Sequence, residues 1–251
     1  MKMLYTFFLL LTFGFFSSLL KAEEPDWRDY NQLLEKYVEP GEINNVKLMT
    51  VDYAGLKNET KFKKVVSQIA VFDTNKLSNE NERLSFYINA YNILAIKVVL
   101  DHWPVKSIKD IGNLFSPVWK RNAGVVNQKI VSLHEVEHEI LRKMNEPKIH
   151  MAIVCASVSC PDLRAEAYTA AKLNSQLDEQ TKKFLANNKK GLYFNGSTAY
   201  VSKIFDWFED DFIQYGGVKS FIRHYYPNVL STTEIDADIS YDWQLNSKNW
   251  N

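Results

Sequence analysis

The chain has 251 residues, and its 30 lysines and arginines are balanced by 30 aspartates and glutamates. This neutral balance lacks the positive excess of nucleic-acid-binding proteins, so no nucleic-acid partner is expected. A hydrophobic content of 46% supports a sizeable core, and no repeat, low-complexity tract or linker divides the sequence after Ala22. We therefore expect one globular domain over residues 23–251.

The N-terminus has the pattern of a secretory signal peptide. Lys2 gives a basic head, residues 6–20 form an uncharged apolar run, and Ala22 precedes the acidic Glu23. We expect a signal peptide over residues 1–22, a periplasmic or extracellular mature protein, and no transmembrane span after cleavage. The alternative is a retained anchor, but the run is short because a span needs about 20 apolar residues.

Apolar periodicity predicts an irregular alternation of helices and strands. Helices are expected over residues 27–37, 58–70, 79–100, 169–186, 204–212 and 218–225, and strands over residues 48–53 and 150–155. Hairpins are expected around Asn122-Ala-Gly124 and Asn195-Gly196. Helices dominate the front of the chain and strands cluster behind them. We therefore expect an α+β fold with a helical front half packed on a small antiparallel sheet.

The segment from His134 to His138 satisfies the zinc-protease pattern H-E-x-x-H. Two imidazoles four residues apart on a helix can face one metal ion. However, Ser132 and Glu135 form a predicted capping box, which places the motif in the first turn of its helix. No third ligand follows at the usual spacing either. We therefore expect no metal and no other cofactor.

A second segment joins a buried stretch to two cysteines. His150 begins the stretch, Cys155 ends it, and a Ser-rich turn leads to Cys160. This segment resembles the signature of the bacterial and plant family called domain of unknown function 547. The same resemblance extends to Phe86-Tyr-Ile-Asn-Ala-Tyr-Asn-Ile-Leu-Ala95, Glu137-His138 with Ile140-Leu-Arg142, Glu166-Ala-Tyr-Thr169, Ser202-Lys-Ile-Phe-Asp-Trp-Phe208 and Tyr241-Asp-Trp-Gln-Leu-Asn246. It covers about residues 51–246.

The family resemblance implies no established activity. By analogy of fold, it implies a likeness to papain-like and transglutaminase-like cysteine hydrolases of the phytochelatin synthase type. The implied function is a thiol hydrolase or transferase that acts on amide bonds of small peptides. The alternative is a non-catalytic exported binding or scaffold domain with a structural Cys155–Cys160 pair. The implied partner is a small peptide or a cell-envelope component.

A thiol hydrolase needs a thiolate, an imidazole to exchange protons and a group that orients the imidazole. The catalytic candidates are Cys155, Cys160, His138 and His150, with Asp162 or Asp242 to orient the base. The substrate-binding candidates are Asn89 and Asn92, which share a helix face, and Arg164. We expect both histidines, both cysteines and Asn89 to surround one cleft.

Each of these residues also has a structural interpretation. Cys155 could be a buried inert thiol, and a disulfide between the two cysteines would close a short loop. Asn89 and Asn92 could tie their helix to neighbouring loops, since buried amides need partners. Arg164 could form a surface salt bridge. The sequence leaves these alternatives open.

Overall fold

The structure is a computed structural model that describes residues 24–248. The predicted signal peptide, residues 1–22, lies outside the described residues. The fold is α+β, with many helices and three small sheets in the described part of the chain. The expectation of a single antiparallel sheet was therefore wrong, because the strands pair locally instead of meeting in one layer.

The front half consists of four helices and one hairpin. The helices are α1 (Arg28–Tyr37), α2 (Tyr53–Leu56), α3 (Thr60–Val71) and α4 (Glu80–Asp101), and the hairpin strands are β1 (Val38–Ile43) and β2 (Val46–Val51). Pro40 and Gly41 follow the end of α1. They lie within β1, opposite Met49 and Leu48, and the tight turn to β2 places Asn44 and Asn45 at positive φ, where asparagine is tolerated.

Helix α4 is the centre of the larger hydrophobic core. Its predicted bounds are confirmed, and the side chain of Asn79 caps it by accepting a hydrogen bond from the Glu82 N–H. The helix is long and apolar enough to cross a membrane, but 83% of its apolar window is buried inside the protein. Since helices on several sides cover it, α4 needs no polar face, unlike an amphipathic surface helix.

The middle of the chain departs most from the sequence prediction. Residues Val118–Lys120 form a 3₁₀ turn, and the hairpin pairs β3 (Asn122–Val126) with β4 (Lys129–Ser132). Its turn lies at Asn127 and Gln128, both at positive φ, and not at Asn122-Ala-Gly124. Gly124 instead lies beside a break in the register, which is a usual position for a strand glycine.

The capping box at Ser132 is confirmed. Its hydroxyl accepts from the Glu135 N–H at 3.1 Å, and the Glu135 carboxylate accepts from the Ser132 N–H at 2.7 Å. The helix that follows, Glu135–Leu141, is a π-helix. Such wide turns are rare and frequently occur at functional sites.

The predicted strand over residues 150–155 does not form. His150 belongs to the 3₁₀ helix Pro147–Met151, and the next four residues are irregular. Their backbone groups bond to a side chain instead of a strand: Asn92 bonds to the Ala152 carbonyl and the Val154 N–H. Buried apolar residues alone do not make a strand when no partner strand is available.

The back half surrounds a three-stranded sheet and a second hydrophobic core. Its helices are α5 (Leu173–Leu185), α6 (Ile204–Trp207) and α7 (Val218–Tyr225), with a 3₁₀ helix at Glu209–Tyr215, and its strands are β5 (Leu192–Asn195), β6 (Thr198–Ser202) and β7 (Glu234–Ile239). The β5–β6 hairpin is confirmed, but β7 pairs with β6 in parallel. Helix α5 begins four residues later than predicted, after a turn over residues 170–172 in which the Lys172 N–H donates to the Thr169 carbonyl at 3.0 Å.

Candidate functional site

A cavity of about 360 Å³ lies where residues of the two hydrophobic cores meet. Its polar wall contains His134, Glu137, His138, His150, Cys155 and Cys160. Its aromatic wall contains Tyr91, Trp119, Trp207, Phe208, Tyr241 and Trp243. The volume lies within the range of small-molecule sites, and apolar walls with a few convergent polar groups are typical of such sites.

The loop that carries the two cysteines is held by the C-terminal segment. The Ala156 carbonyl accepts from the Asn246 N–H at 3.0 Å, and the Val158 N–H donates to the Gln244 carbonyl at 2.8 Å. These contacts support a left-handed conformation at Ala156, with φ of 61°. A buried alanine in that region is strained, and such strain persists only where the surroundings enforce it.

Both cysteines are free thiols in the structure. The Cys155 N–H donates to Sγ of Cys160 at 2.9 Å, and Sγ of Cys155 lies 3.2 Å from Oγ of Ser157 and 3.4 Å from the Tyr241 hydroxyl. The sequence left open whether Cys155 and Cys160 form a disulfide, and in the structure they do not. These hydrogen bonds give the two sulfurs unequal environments.

The thiolate is favoured at Cys160. Burial opposes ionisation there, but hydrogen bonds from the Cys155 thiol, the Tyr241 hydroxyl and the Cys155 N–H outweigh burial and lower the pKa of Cys160 to about 6. Burial and the neighbouring Cys160 sulfur raise the pKa of Cys155 well above its ordinary value. The pair therefore favours a single thiolate, with Cys160 as the more acidic thiol.

His138 is held as a neutral hydrogen-bond donor. Its Nδ1 lies 2.8 Å from an Arg142 nitrogen, and because a guanidinium can only donate, the ring proton must be on Nε2. Burial lowers the pKa of His138 to about 4, and the neighbouring His134 and Arg142 add to the effect. The ring therefore stays uncharged at neutral pH.

His150 is oriented by Asp211. Its Nε2 lies 2.7 Å from Oδ2 of Asp211, and Arg142 bonds to the same carboxylate through two nitrogens at 2.6 and 2.7 Å. Burial opposes ionisation of Asp211, but the hydrogen bonds from His150 and Arg142 hold its pKa well below the usual range. An ionised Asp211 places the ring proton on Nε2, which leaves Nδ1 of His150 as the basic atom. Burial lowers the pKa of His150, so the ring is neutral.

The orienting carboxylate is therefore not one of the two predicted. Asp162 bonds to Lys190 at 2.7 Å, and Lys190 also donates to the Cys160 carbonyl at 2.7 Å. Asp242 accepts from Asn44 at 2.8 Å. Asp162 thus supports the cysteine loop from behind, and Asp242 belongs to the C-terminal segment. Asp211 follows an aromatic motif in the sequence, and no local signal identified it as a partner of His150.

The four predicted catalytic side chains line the same cavity, but none of the hydrogen bonds between described residues joins a thiol to an imidazole. We expected an imidazole to lower the pKa of a cysteine. In the structure the neighbouring thiol, a tyrosine hydroxyl and a backbone N–H do so instead. Thiols and imidazoles thus share the lining of one cavity without a hydrogen bond between them.

Glu137 was not among the candidates, although it is adjacent to His138. Its carboxylate lines the cavity and accepts from the Tyr91 hydroxyl at 3.3 Å. Burial raises the pKa of Glu137 to about 7, against the smaller opposing effect of the Tyr91 hydrogen bond. The H-E-x-x-H pattern drew attention to His134 and His138 and did not indicate that the intervening Glu137 faces inward.

The three predicted substrate-binding residues serve the fold instead. The Asn89 amide exchanges two hydrogen bonds with the backbone of Tyr168, at 2.8 and 2.9 Å, and does not line the cavity. Asn92 fixes the segment before Cys155 through Ala152 and Val154. Arg164 bonds to Glu166 at 2.7 Å and to Glu179 at 2.9 Å, away from the cavity. Buried amides and guanidinium groups need such partners, and these lie in neighbouring loops.

In the structure the two histidines of the zinc motif, His134 and His138, contact each other, and His138 also contacts Arg142. The rings of His134 and His138 stack with centroids 4.2 Å apart, and Nδ1 of His138 is occupied by Arg142. Among the described residues, no group of three or more histidine, cysteine, aspartate or glutamate side chains is arranged to hold a metal ion.

Comparison with known proteins gives one match. Residues 74–185 match the family described as "Protein of unknown function, DUF547". This supports the family resemblance over a shorter range than the motifs suggested. The matched range contains both cysteines and both histidines, but it excludes Asp211 and Tyr241. No curated protein matches the chain, and no solved structure matches it, so a papain-like architecture has no support from a structural neighbour.

Proposed function

We propose that the chain is an exported thiol-dependent hydrolase or transferase that acts on an amide or related acyl bond of a small peptide-like substrate. One observation carries the proposal: a thiol with a lowered pKa and an imidazole oriented by an aspartate line one cavity of small-molecule size. Thiolate and oriented imidazole are the two groups that acyl transfer through a thioester requires. The proposal rests on these side chains and not on a papain-like architecture.

In this proposal Sγ of Cys160 attacks the carbonyl carbon and forms the carbon–sulfur bond of a thioester. The Nε2–H of His138 is the available donor for the carbonyl oxygen as negative charge develops there. The C–N bond breaks as the leaving nitrogen takes a proton from solvent water, and the amine departs. Nδ1 of His150 then accepts the proton of the water or acceptor that attacks the thioester, and the C–S bond breaks to return the Cys160 thiolate. Asp211 keeps that nitrogen deprotonated by bonding to Nε2.

The test is acylation by a small activated ester, the p-nitrophenyl ester of an N-acetylated amino acid. Intact mass should show one acyl group per chain, on Cys160, and Cys160→Ser should abolish this rapid labelling. His150→Gln should still acylate but should retain the acyl group longer, because deacylation lacks its base. His224→Gln is the matched control, since His224 is exposed on α7 and does not line the cavity.

The second candidate is a ligand-binding domain without chemistry. The missing hydrogen bond between thiol and imidazole favours it, because catalytic pairs usually lie within about 2.6–3.2 Å. Acylation of the native protein no faster than that of free cysteine, together with no effect of His150→Gln, would establish this candidate and reject the enzyme.

A further inference from the structure

Glu137 is a carboxylate without a cationic partner in the described part of the chain. Its one side-chain hydrogen bond is from the Tyr91 hydroxyl, at 3.3 Å. The nearest guanidinium, Arg142, bonds to Asp211 through two nitrogens and to His138 through a third. A largely buried carboxylate that faces a cavity without a cation loses solvation and gains little in return.

The same cavity is also lined by aromatic side chains. Tyr241, Trp207 and Trp243 form a mutual cluster, with ring centroids 4.5 Å apart for Tyr241 and Trp243, 4.9 Å for Trp207 and Tyr241, and 5.7 Å for Trp207 and Trp243. Trp207 is 45% exposed, so the cluster reaches the mouth of the cavity. One of its rings already attracts a cation, because Nζ of Lys109 lies 4.8 Å from the centroid of Trp243.

A carboxylate and electron-rich rings around one space are the groups by which proteins hold an ammonium ion. We propose that Glu137, Tyr91 and the Trp207–Tyr241–Trp243 cluster bind the ammonium group of a small amine. This proposal rests on the proposed function, in which the amine would be the leaving group or the acceptor of the acyl transfer. The binding itself needs no turnover.

The other charged groups around the cavity decide how this site responds to pH. The Cys160 thiolate and Asp211 add negative charge near Glu137, whereas Arg142 adds positive charge, and Lys120 also lines the cavity. His138 stays neutral because its pKa is about 4, and His134 also lines the wall. Since burial raises the pKa of Glu137 to about 7, its carboxylate ionises as the pH rises through neutrality and adds to the negative charge of the Cys160 thiolate. Affinity for an ammonium ion should rise over the same range.

The experiment measures binding of benzylammonium by the fluorescence of the cavity tryptophans, with benzyl alcohol as the neutral probe of the same shape and benzoate as the anion. Benzylammonium should bind more tightly than benzyl alcohol. Its affinity should also be higher at pH 8 than at pH 6. Glu137→Gln should lower the affinity for benzylammonium about tenfold or more, as expected for loss of a charge-assisted hydrogen bond. The same variant should leave benzyl alcohol unchanged.

Two controls keep the result interpretable. Glu139→Gln removes a carboxylate from the same helix, but Glu139 is exposed and pairs with Lys143, so it should not affect binding. Tyr91→Phe keeps the ring and should lower the affinity for benzylammonium less than Glu137→Gln does. Equal binding of alcohol and ammonium, a preference for benzoate, or no effect of Glu137→Gln would overturn the proposal. Binding of benzylammonium is also measured in Cys160→Ala. This variant lacks the thiol that the catalytic proposal requires, so binding there tests the ammonium site independently of catalysis.

Discussion

The hydroxyl of Tyr241 should control the reactivity of Cys160. Hydrogen bonds lower the pKa of Cys160 from its ordinary value of 9.0 to about 6, against the opposing effect of burial. Tyr241 is one of the donors responsible, and a hydrogen bond to a charged group contributes about 1.5 kcal/mol or more. Tyr241→Phe should therefore raise the pKa of Cys160 by about one unit while keeping the ring in the cavity wall.

The assay is the rate of alkylation of Cys160 by iodoacetamide as a function of pH, read by mass spectrometry of the modified peptide. The native midpoint should lie near pH 6. Below it, Tyr241→Phe should react about threefold more slowly, because its thiolate fraction is about tenfold smaller but each thiolate is about threefold more nucleophilic. Above both midpoints the variant should react about threefold faster, because a more basic thiolate is intrinsically more nucleophilic. The two profiles should therefore cross.

A native midpoint at the ordinary value of a cysteine would refute the reasoning, since no donor would then be acting on the sulfur. Overlapping profiles would show that Tyr241 in particular is not one of those donors. Tyr193→Phe is the matched control, because Tyr193 is 38% exposed on β5 and lies outside the cavity.

Three further predictions follow from the same structure. Asn92→Ala and Asn89→Ala each remove a buried amide that bonds to two backbone groups, so each should lower the free energy of unfolding by about 2–4 kcal/mol in urea titrations. Only Asn92→Ala should also change the alkylation rate of Cys160. Equal alkylation rates in the two variants would contradict the role of Asn92 in placing the cysteine loop. The purified protein should contain no stoichiometric zinc by elemental analysis, and one zinc per chain that disappears in His134→Ala would contradict this. The exported protein should begin near Glu23 by intact mass, whereas a mass that retains residues 1–20 would contradict the predicted signal peptide.

The sequence determined the local elements whose signals lie within a few residues of each other. Helix α4, the capping box at Ser132 and the β5–β6 hairpin were all predicted, because periodicity, caps and turns act over short stretches. The sequence also indicated the residues that line one wall of the cavity. His138, His150, Cys155 and Cys160 stood out because few residue types carry nucleophilic and basic chemistry.

Tertiary structure alone decided what those residues touch. The partner of His150 is Asp211, 61 residues further along the chain, and the Tyr241 hydroxyl that lies beside the two thiols comes from the C-terminal segment. No periodicity links such distant positions. The segment before Cys155 shows the same limit, since its apolar run predicted a strand. In the folded protein its backbone groups bond to Asn92 instead, because backbone hydrogen bonds go to whichever partner the packing supplies.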